Sequence, residues 1–367
     1  MSRPKKKPGA RASGDAAEDR LRAVFERSAL VVSLAARDVE LPEVQAPSTE
    51  RLEVTVPRTA DLTEDDLARR LQALARGYAQ VRECAAGEAV QLGDEVCLDV
   101  LGYADGRLIP FSARVQMWTD LTPSPMLPGF FEGLVGVMVG EGTRLQVTLP
   151  ADYPLERLRG ARTTFLVDVC AARQVELPDM QSAAFIEALG RGPTIGAVIE
   201  SIADELEAEL ADELWVEAQN LVIDELLRRA DAKVSEEAVD EEIRRRWKDG
   251  EGRWLVKKRF SSDELQEALA GWLADPLTRA DASRRLQASL VLRAIAVREK
   301  LQLTPERLER IIQIAGKPFG FAASDLGAAL KGNPALAEQV TAMAFHLMAL
   351  GHVMEKAKVL FEGAPAR

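Results

Sequence analysis

Apolar and polar residues alternate along several short segments in the first half of the chain. Alternation with a period of two puts one set of side chains on one face of an extended strand, as in a half-buried sheet. Asp105-Gly106 is typical of a tight turn between strands, and the stretch after Pro128 has room for only a short helix. The pattern therefore predicts a small antiparallel sheet wrapped on one short helix. The alternating segments of this sheet are 95–101, 144–149 and 163–169, and 52–56 is predicted as a separate half-buried strand ahead of it.

In the second half of the chain, apolar residues recur every three or four positions. Because no proline or glycine lies between Ala197 and Ala230, we predict one helix of about 30–35 residues, about 50 Å long, that projects from the body. Residues 15–37 predict a short helix, and residues 335–361 one more long helix. Capping residues mark helix starts at Thr63 with Asp66, Ser261 with Glu264 and Thr304-Pro305, and Asn333-Pro334 marks the start of the helix at 335–361.

The numbers of cysteines and histidines limit the kinds of catalytic and metal site that the chain can contain. The 367 residues suggest two or three domains, and the three cysteines, Cys84, Cys97 and Cys170, are far apart and lack CxxC spacing. The only histidines, His346 and His352, are six residues apart and would not face one another on a helix. We therefore expect no metal site, no cofactor, no disulfide framework and no histidine-dependent nucleophile.

Charge is distributed unevenly along the chain. The net charge is −11, yet residues 1–11 carry five basic side chains and no acidic one, which leaves −16 on the remainder. This basic tail fits either a disordered solubilising arm or an element that docks on RNA or another acidic surface. No signal peptide or apolar run of about 18 residues is present. We therefore expect a cytoplasmic protein without a DNA or membrane partner.

A set of short motifs suggests a family. Their order and spacing resemble those of the bacterial trigger factors, chaperones that carry an FKBP-type prolyl isomerase domain, over roughly residues 50–362. The principal motifs are Gly93-Asp-Glu-Val-Cys-Leu-Asp-Val-Leu-Gly102, Met126-Leu-Pro-Gly-Phe-Phe-Glu-Gly-Leu-Val-Gly136, Val147-Thr-Leu-Pro-Ala-Asp-Tyr-Pro154, Phe165-Leu-Val-Asp-Val169 and Val175-Glu-Leu-Pro178.

The resemblance implies an α+β multidomain fold. A basic tail and short helix occupy residues 1–50, and a strand-helix linker at 51–88 packs with the helical body. An FKBP-type domain spans 89–177, and a mostly helical chaperone domain with long projecting helices spans 178–367. The family's N-terminal ribosome-docking domain and its Gly-Phe-Arg-x-Gly-Lys loop have no counterpart in this sequence. Docking through that loop is therefore not supported, whereas weak docking through the basic tail stays open.

The resemblance also implies a pocket for a prolyl peptide. Phe130 would underlie the proline ring, Tyr153 would offer its hydroxyl, and the Leu127 N–H would hold a substrate carbonyl. In this sequence the family's aromatic positions fall on Val100, Ile109 and Met117, so the aromatic lining is thinned. Phe111 and Trp118 are displaced neighbours that could substitute. The implied substrate-binding residues are Val100, Ile109, Phe111, Met117, Met126 and Phe165.

Prolyl isomerisation needs no nucleophile, metal or general base. An apolar pocket lowers the barrier, because withdrawing water penalises the planar amide more than the less polar, twisted transition state. The alternative is that these side chains are simply the core of a small sheet domain. Two further features lie in the helical part. Met343, Met348 and Met354 are either an adaptable lining for clients or ordinary core, and the basic runs 244–246 and 257–259 are typical of a solvated face.

The sequence therefore predicts an ATP-independent, trigger-factor-like chaperone that binds unfolded or nascent polypeptides and catalyses peptidyl-prolyl cis-trans isomerisation. The first alternative is an adaptor or holdase with the isomerase fold that binds peptide without significant turnover. A second is a ribosome-associated factor that docks through the basic tail.

Overall fold

The computed structural model describes most of the chain, and it divides into two compact units. The sheet unit comprises Ala60–Ala211 and Ile243–Asp275, and the helical unit comprises the described parts of Met1–Thr59, Asp212–Glu242 and Pro276–Arg367. The basic tail, and most of the helix predicted at 15–37, lie outside the described residues. Those residues are 20–21, 24–25, 29–31, 34, 38–57, 61–109, 112–122, 127–153, 156–317, 320–321, 323–330 and 333–362.

The secondary-structure elements are labelled here in chain order. The strands are β1 (Glu53–Val56), β2 (Gln80–Glu83), β3 (Glu95–Ala104), β4 (Arg107–Leu108), β5 (Arg114–Asp120), β6 (Gly142–Thr148), β7 (Arg162–Glu176) and β8 (Lys358–Phe361). The α-helices are α1 (Glu64–Arg76), α2 (Ala183–Leu189), α3 (Ile195–Arg229), α4 (Glu236–Asp249), α5 (Glu251–Lys257), α6 (Ser262–Ala274), α7 (Pro276–Arg298), α8 (Pro305–Gly316), α9 (Ala323–Leu330) and α10 (Pro334–Lys356).

The sheet unit contains a six-stranded sheet whose strand pairs are all antiparallel. The long strand β7 pairs with β2, β3 and β6, and β3 also pairs with β4 and β5. The tight turn at Asp105-Gly106 joins β3 to β4, and both residues have positive φ. Between β5 and β6 the chain makes a single 3-10 turn at Glu132–Leu134. The predicted antiparallel sheet is therefore confirmed, and in the described residues the short helix predicted after Pro128 is only this 3-10 turn.

The same unit includes the helical segment α5–α6. Its core with the sheet contains Leu108 of β4, Leu255 of α5 and Ala268 of α6, with Tyr103 packed against them. Asp99 on β3 accepts hydrogen bonds from Lys258 and from the Gln116 N–H. Burial tends to raise the pKa of Asp99, but these two hydrogen bonds lower it overall. Hydrophobic packing and a charged contact therefore both hold this helical segment to the sheet.

Helix α3 runs for 35 residues, which confirms the single long helix predicted from the apolar spacing. Its N-terminal half belongs to the sheet unit, where Val198 and Ile202 are buried against α1 and α2. Its C-terminal half belongs to the helical unit, where Val222 and Leu226 are buried with Val54 and Val56 of β1. The length of the helix therefore serves two separate cores.

The predicted helix caps are present. Thr63 and Ser261 each accept a hydrogen bond from the backbone N–H three residues later, and Asp66 and Glu264 complete the two capping boxes. Thr304 and Asn333 also accept such bonds, and each is followed by a proline in the first turn of its helix. These side chains replace the carbonyl partners that the first N–H groups of a helix lack.

The prediction of one helix over 335–361 is wrong at its C-terminal end. Helix α10 ends at Lys356, Ala357 is extended, and β8 pairs in parallel with β1. The Lys358 N–H donates to the Leu52 carbonyl at 2.7 Å. Val359 and Phe361 both pack on the helical unit's core. Their spacing suits a strand as well as a helix, and the pairing with β1 decides between the two.

Apolar side chains of α7 to α10 form much of the hydrophobic core of the helical unit. Met343, Met348 and Met354 are buried there, so the core interpretation of these methionines is the correct one. In the basic runs, Arg244 and residues 257–259 are exposed, whereas Arg245 and Arg246 are half-buried. No helix among the described residues is long and apolar enough to cross a bilayer. Over the same part of the chain, no group of three histidine, cysteine or acidic residues is arranged to hold a metal.

Candidate functional site

Phe130 reaches the sheet from a turn in which a glycine adopts a positive φ. The Phe130 N–H donates to the Leu127 carbonyl at 3.0 Å, and Gly129 between them has a φ of 84°. Positive φ is unstrained for glycine and costly for other residues. The turn buries the Phe130 ring, which is 2% exposed, among side chains of β3, β6 and β7.

Three phenylalanine rings form an aromatic cluster around Phe130. The Phe130 ring meets Phe165 edge to face, with centroids 5.1 Å apart, and meets Phe131 in the same way at 5.2 Å. This geometry places the positive edge of one ring on the negative face of the next. Val100 on β3 belongs to the same buried cluster. The structure therefore brings the predicted residues Phe130, Phe165 and Val100 together.

Gly102 on β3 makes room for the Phe165 ring. A Cβ atom at this position would lie 2.7 Å from the nearest ring carbon of Phe165. The Gly102 carbonyl also accepts the Ile109 N–H at 2.8 Å and the Ser112 hydroxyl at 3.2 Å. One glycine thus permits the aromatic contact and anchors the chain that carries Ile109. The sequence contained this signal, a glycine inside an apolar strand, but the prediction passed over it.

A second group of side chains, here called the rim cluster, adjoins the aromatic cluster. Ile109, Leu149 and Leu158 are buried in it, and Tyr153 and Leu127 pack against it half-buried. Leu127 packs against the aromatic cluster as well. The predicted residues Ile109, Tyr153 and Leu127 are therefore close to each other, and Leu127 links them to Phe130. The prediction did not include Leu149 and Leu158, although Leu149 lies within the quoted motif Val147–Pro154.

Tyr153 is held through its backbone. Its N–H donates to the Pro150 carbonyl at 3.2 Å, and its carbonyl accepts from Arg159 Nε at 3.0 Å. Among the described residues, neither the Tyr153 hydroxyl nor the Leu127 N–H has a hydrogen-bond partner. The rim cluster therefore presents an apolar surface with a hydroxyl and a backbone donor, the two polar groups that the sequence analysis assigned to substrate.

The remaining predicted residues are placed differently. Met117 lies opposite Leu98 on the edge strand β5, half-buried, and belongs to neither cluster. Trp118 points to the other face of β5, where the Arg173 guanidinium carbon lies 4.5 Å from the centroid of the Trp118 ring. Trp118 therefore does not substitute in the aromatic lining. Phe111 and Met126 lie outside the described residues.

Comparisons with known proteins point to one family. Residues 194–351 match the model of the bacterial trigger factor protein C-terminus. The chain is 26% identical over 318 residues to the trigger factor of Haemophilus ducreyi, and 28% identical over the same length to that of Actinobacillus pleuropneumoniae. Each alignment covers 87% of this chain and 70% of the relative.

A further relative and a solved structure that match this chain are also trigger factors. The trigger factor of Halothermothrix orenii is 27% identical over 285 residues, which covers 76% of this chain and 64% of that protein. A solved structure of the trigger factor chaperone aligns with 92% of this chain and 82% of its own at 15% identity, but its TM-score of 0.33 carries no argument about fold. The sequence matches identify the chain as a homologue of the bacterial trigger factors.

Proposed function

We propose that this chain is an ATP-independent chaperone that binds unfolded or nascent polypeptides and catalyses prolyl cis-trans isomerisation at the aromatic and rim clusters. Homology to the trigger factors supports a chaperone role in protein folding. The isomerase assignment rests on the motif resemblance and on the site's geometry. In this proposal, residues 89–177 are an FKBP-type domain and residues 178–367 a substrate-holding domain. Docking of the basic tail on an acidic surface such as the ribosome is a further proposal.

The observation that carries the isomerase proposal is the pair of unpartnered polar groups beside an apolar wall. Within the described residues, the Leu127 N–H and the Tyr153 hydroxyl lack partners, and both side chains pack on Ile109, Leu149 and Leu158. The Leu127 N–H would hold the carbonyl of the prolyl peptide, and the Tyr153 hydroxyl would bind a neighbouring backbone group. The apolar wall would remove water from the amide and so disfavour its planar, more polar form.

A second candidate function is peptide binding without turnover. Phe130 and Phe165 are only 2% and 6% exposed, because their rings pack on each other in a closed cluster. A proline ring that rests on Phe130 would need space that this cluster fills. In this alternative the rim cluster still binds peptide, and the domain serves as an adaptor or holdase.

A proline-limited refolding assay separates these functions. Tyr153→Phe removes one hydroxyl and keeps the ring, so we expect kcat/KM for isomerisation to fall about 3- to 10-fold, the contribution of one hydrogen bond. Tyr103→Phe is the matched control, because Tyr103 packs against α5 and α6 and not in either cluster. Its rate should equal that of the wild type.

Aggregation of an unfolded client is measured in parallel. If the wild type suppresses aggregation but refolds the proline-limited client no faster than the uncatalysed reaction, the isomerase proposal is wrong and the adaptor function stands. If it does neither, the chaperone proposal is also wrong.

A further inference from the structure

One segment of the sheet unit carries a charge opposite to that of the chain. Residues 244–259, here called the basic segment, have eight basic side chains and two acidic ones. Their net charge of +6 leaves −17 on the rest of the chain. The segment contains the end of α4, the whole of α5 and the residues that follow it. The proposed isomerase site contains none of these residues, and a local field of this sign attracts anionic partners.

Four exposed cations of the basic segment have no carboxylate partner in the part of the chain that the structure describes. The acidic residues nearby are occupied elsewhere or unpaired. Glu251 is buried and accepts a hydrogen bond from Trp272 Nε1 at 2.6 Å, and Asp99 pairs with Lys258. Asp249 is exposed and pairs with none of the four. The four cations are Lys248, Arg253, Lys257 and Arg259.

The Trp254 ring holds two of these cations in place. Lys257 Nζ lies 4.8 Å from the ring centroid, and the Arg253 guanidinium carbon lies 5.3 Å from it. At such distances the negative face of an indole ring attracts a cation. Trp254 is itself half-buried, and the neighbouring Leu255 is fully buried, so the ring is anchored. Both charges are therefore positioned before a partner arrives, and binding costs less side-chain freedom.

The placement of Arg253 and Lys257 is unfavourable for α5 by itself. The two residues are four positions apart, where like charges on a helix repel each other. Arg253 also lies in the first turn, where the helix dipole disfavours a positive charge, and Gly250 at the N-cap offers no side-chain cap. Residues that break local rules without a structural gain mark functional positions. An anion that contacts both cations would turn their repulsion into attraction.

The apolar surface of α5 is too small for a membrane partner. Val256 is 60% exposed, whereas Leu255 is buried and Trp254 half-buried. A helix that lies in a bilayer interface buries a broad apolar face opposite its charges. Helix α5 has only seven residues and one exposed hydrophobic side chain, so it lacks such a face.

The charge density of the partner and the charge of the chain select among the other polyanions. Nucleic acids hold condensed counterions, and their release drives binding to lysine and arginine, a gain that an acidic protein does not provide to the same extent. A stiff duplex on the basic segment would also bring phosphates towards the −17 of the remainder, which acts over about 8 Å at physiological salt. A flexible single strand can contact the segment alone. RNA presents single strands in its loops and ends.

We propose that the basic segment binds single-stranded RNA through its phosphates. Arg253 and Lys257 contact the RNA backbone, Trp254 is a positioning residue that holds both charges, and Lys248 and Arg259 add to the attraction. Because phosphate contacts carry no sequence information, binding has little sequence preference. The proposal does not depend on chaperone or isomerase activity, so either can fail without the other.

The experiment measures binding of a short fluorescein-labelled oligouridylate to the full chain by fluorescence anisotropy between about 50 and 200 mM salt. With four cations on a single strand, the logarithm of the affinity should fall with that of the salt concentration with a slope of about −3. Arg253→Gln together with Lys257→Gln removes two contacts. We expect binding about 10- to 100-fold weaker at the lowest salt, and a slope of about −1.5.

A matched control removes the same charge elsewhere on the sheet unit. Arg144 and Arg162 are exposed on β6 and β7 and pair with no carboxylate among the described residues. Arg144→Gln together with Arg162→Gln should leave the slope of the wild type unchanged. The proposal is wrong if the basic-segment variant binds as tightly as the wild type, a result that would assign binding to another region such as the basic tail.

Trp254→Leu tests the positioning role. It removes the aromatic face but keeps an apolar side chain and all four cations. We expect binding to weaken about two- to fivefold, as the loss of cation–π contacts predicts, with the salt slope unchanged. Unchanged affinity would show that Trp254 only packs and does not position the charges.

Three further probes test the choice of partner. An RNA duplex should bind more weakly than the single strand, and tighter binding of the duplex would overturn the choice of a single strand. Polyglutamate at equal charge concentration should not displace the oligouridylate, and displacement would assign the segment to acidic polypeptides. Vesicles that contain phosphatidylserine should not bind through the segment. Vesicle binding that is lost in the Arg253 and Lys257 variant, without RNA binding, would make the segment a lipid site.

Discussion

The aromatic cluster of the sheet unit and the cavity beside His346 in the helical unit differ in how closely their apolar side chains pack. In the sheet unit, the turn at Gly129 brings the Phe130 ring into edge contact with Phe165 of β7, and the half-buried rim cluster carries the two polar groups assigned to substrate. In the helical unit, residues of α7 to α10 line a cavity of about 1110 Å³ that is open to solvent, and the unpaired Nδ1 of His346 is buried in the wall beside it. The sheet unit therefore packs its rings closely, whereas the helical unit leaves an open cavity between its helices.

The difference follows from the spacing of the elements. Neighbouring strands are fixed about 4.8 Å apart by backbone hydrogen bonds, so side chains on one face must touch. Helices are held only by side chains, at interaxial distances of 8–10 Å that depend on residue size. Small residues such as Gly327, Ala337 and Ala342 line the cavity. Because these side chains are small, they do not fill the space between the helices.

Truncation of one ring in each region should show this difference most strongly. Phe130→Ala removes a fully packed ring, and we expect the free energy of unfolding of the sheet unit to fall by about 3–5 kcal/mol. Phe345→Ala should cost the helical unit clearly less, because the Phe345 ring is half-buried and borders space that is already empty. Urea titrations measure both, read from methyl NMR signals of Val167 and Met343. Equal costs would mean that the cavity wall is as tightly packed as the aromatic cluster.

The second-largest difference between the two units should be in their stability at acidic pH. Burial lowers the folded-state pKa of His346 to about 4, below the ordinary value of 6.5, so the unfolded chain binds this proton more readily between those values. Stability of the helical unit is therefore full above pH 6.5 and falls as the pH approaches 4, by about 3 kcal/mol from this group. The pKa of Asp99 is also lowered, but from 3.8, so its contribution to the sheet unit is lost only at more acidic pH.

The same urea titrations at pH 7 and pH 4.5 check this prediction. His346→Phe should remove most of the pH dependence of the Met343 signal, and His352→Phe should not. A wild-type helical unit that is as stable at pH 4.5 as at pH 7 would contradict a neutral, buried His346.

Much of the fold could be predicted because its signals are local. The capping residues Thr63 and Ser261 determine helix starts within one turn, and the alternation at 163–169 marks a strand by its neighbours alone. Strand β8 could not be predicted, because the spacing of Val359 and Phe361 fits a helix as well, and its partner β1 is 305 residues away in the chain. Pairing at that distance is a property of the folded chain.

In the candidate sites, too, local features could be predicted from the sequence and long-range contacts could not. The motif resemblance indicated Phe130, Tyr153 and Leu127, because these residues lie in short, recognisable segments. It could not indicate that Gly102 borders the Phe165 ring, since that contact joins two strands. Nor could it indicate the unpaired Nδ1 of His346, which depends on which partners surround the buried ring. Sequence patterns identify residues, whereas hydrogen-bond satisfaction and void space emerge only from tertiary packing.

Two glycines provide the finest test of the comparison, because the same substitution should have opposite signs. Gly102→Ala places a methyl group 2.7 Å from the Phe165 ring, and we expect it to destabilise the sheet unit by about 1–3 kcal/mol through overpacking. Gly327→Ala lies in α9 beside the cavity, where a Cβ would meet nothing within 4 Å. It should stabilise the helical unit by about 0.5–1 kcal/mol, because alanine loses less backbone freedom than glycine in a helix.

Urea titrations read at Val167 and Met343 measure the two effects separately. Destabilisation by Gly327→Ala would show that α9 packs more closely on its neighbours than the cavity allows. A neutral Gly102→Ala would show that the Phe165 ring can move aside, in which case the aromatic cluster is open enough to admit a proline ring. That result would favour isomerase turnover over the adaptor function, so the smallest of these substitutions also bears on the largest functional question.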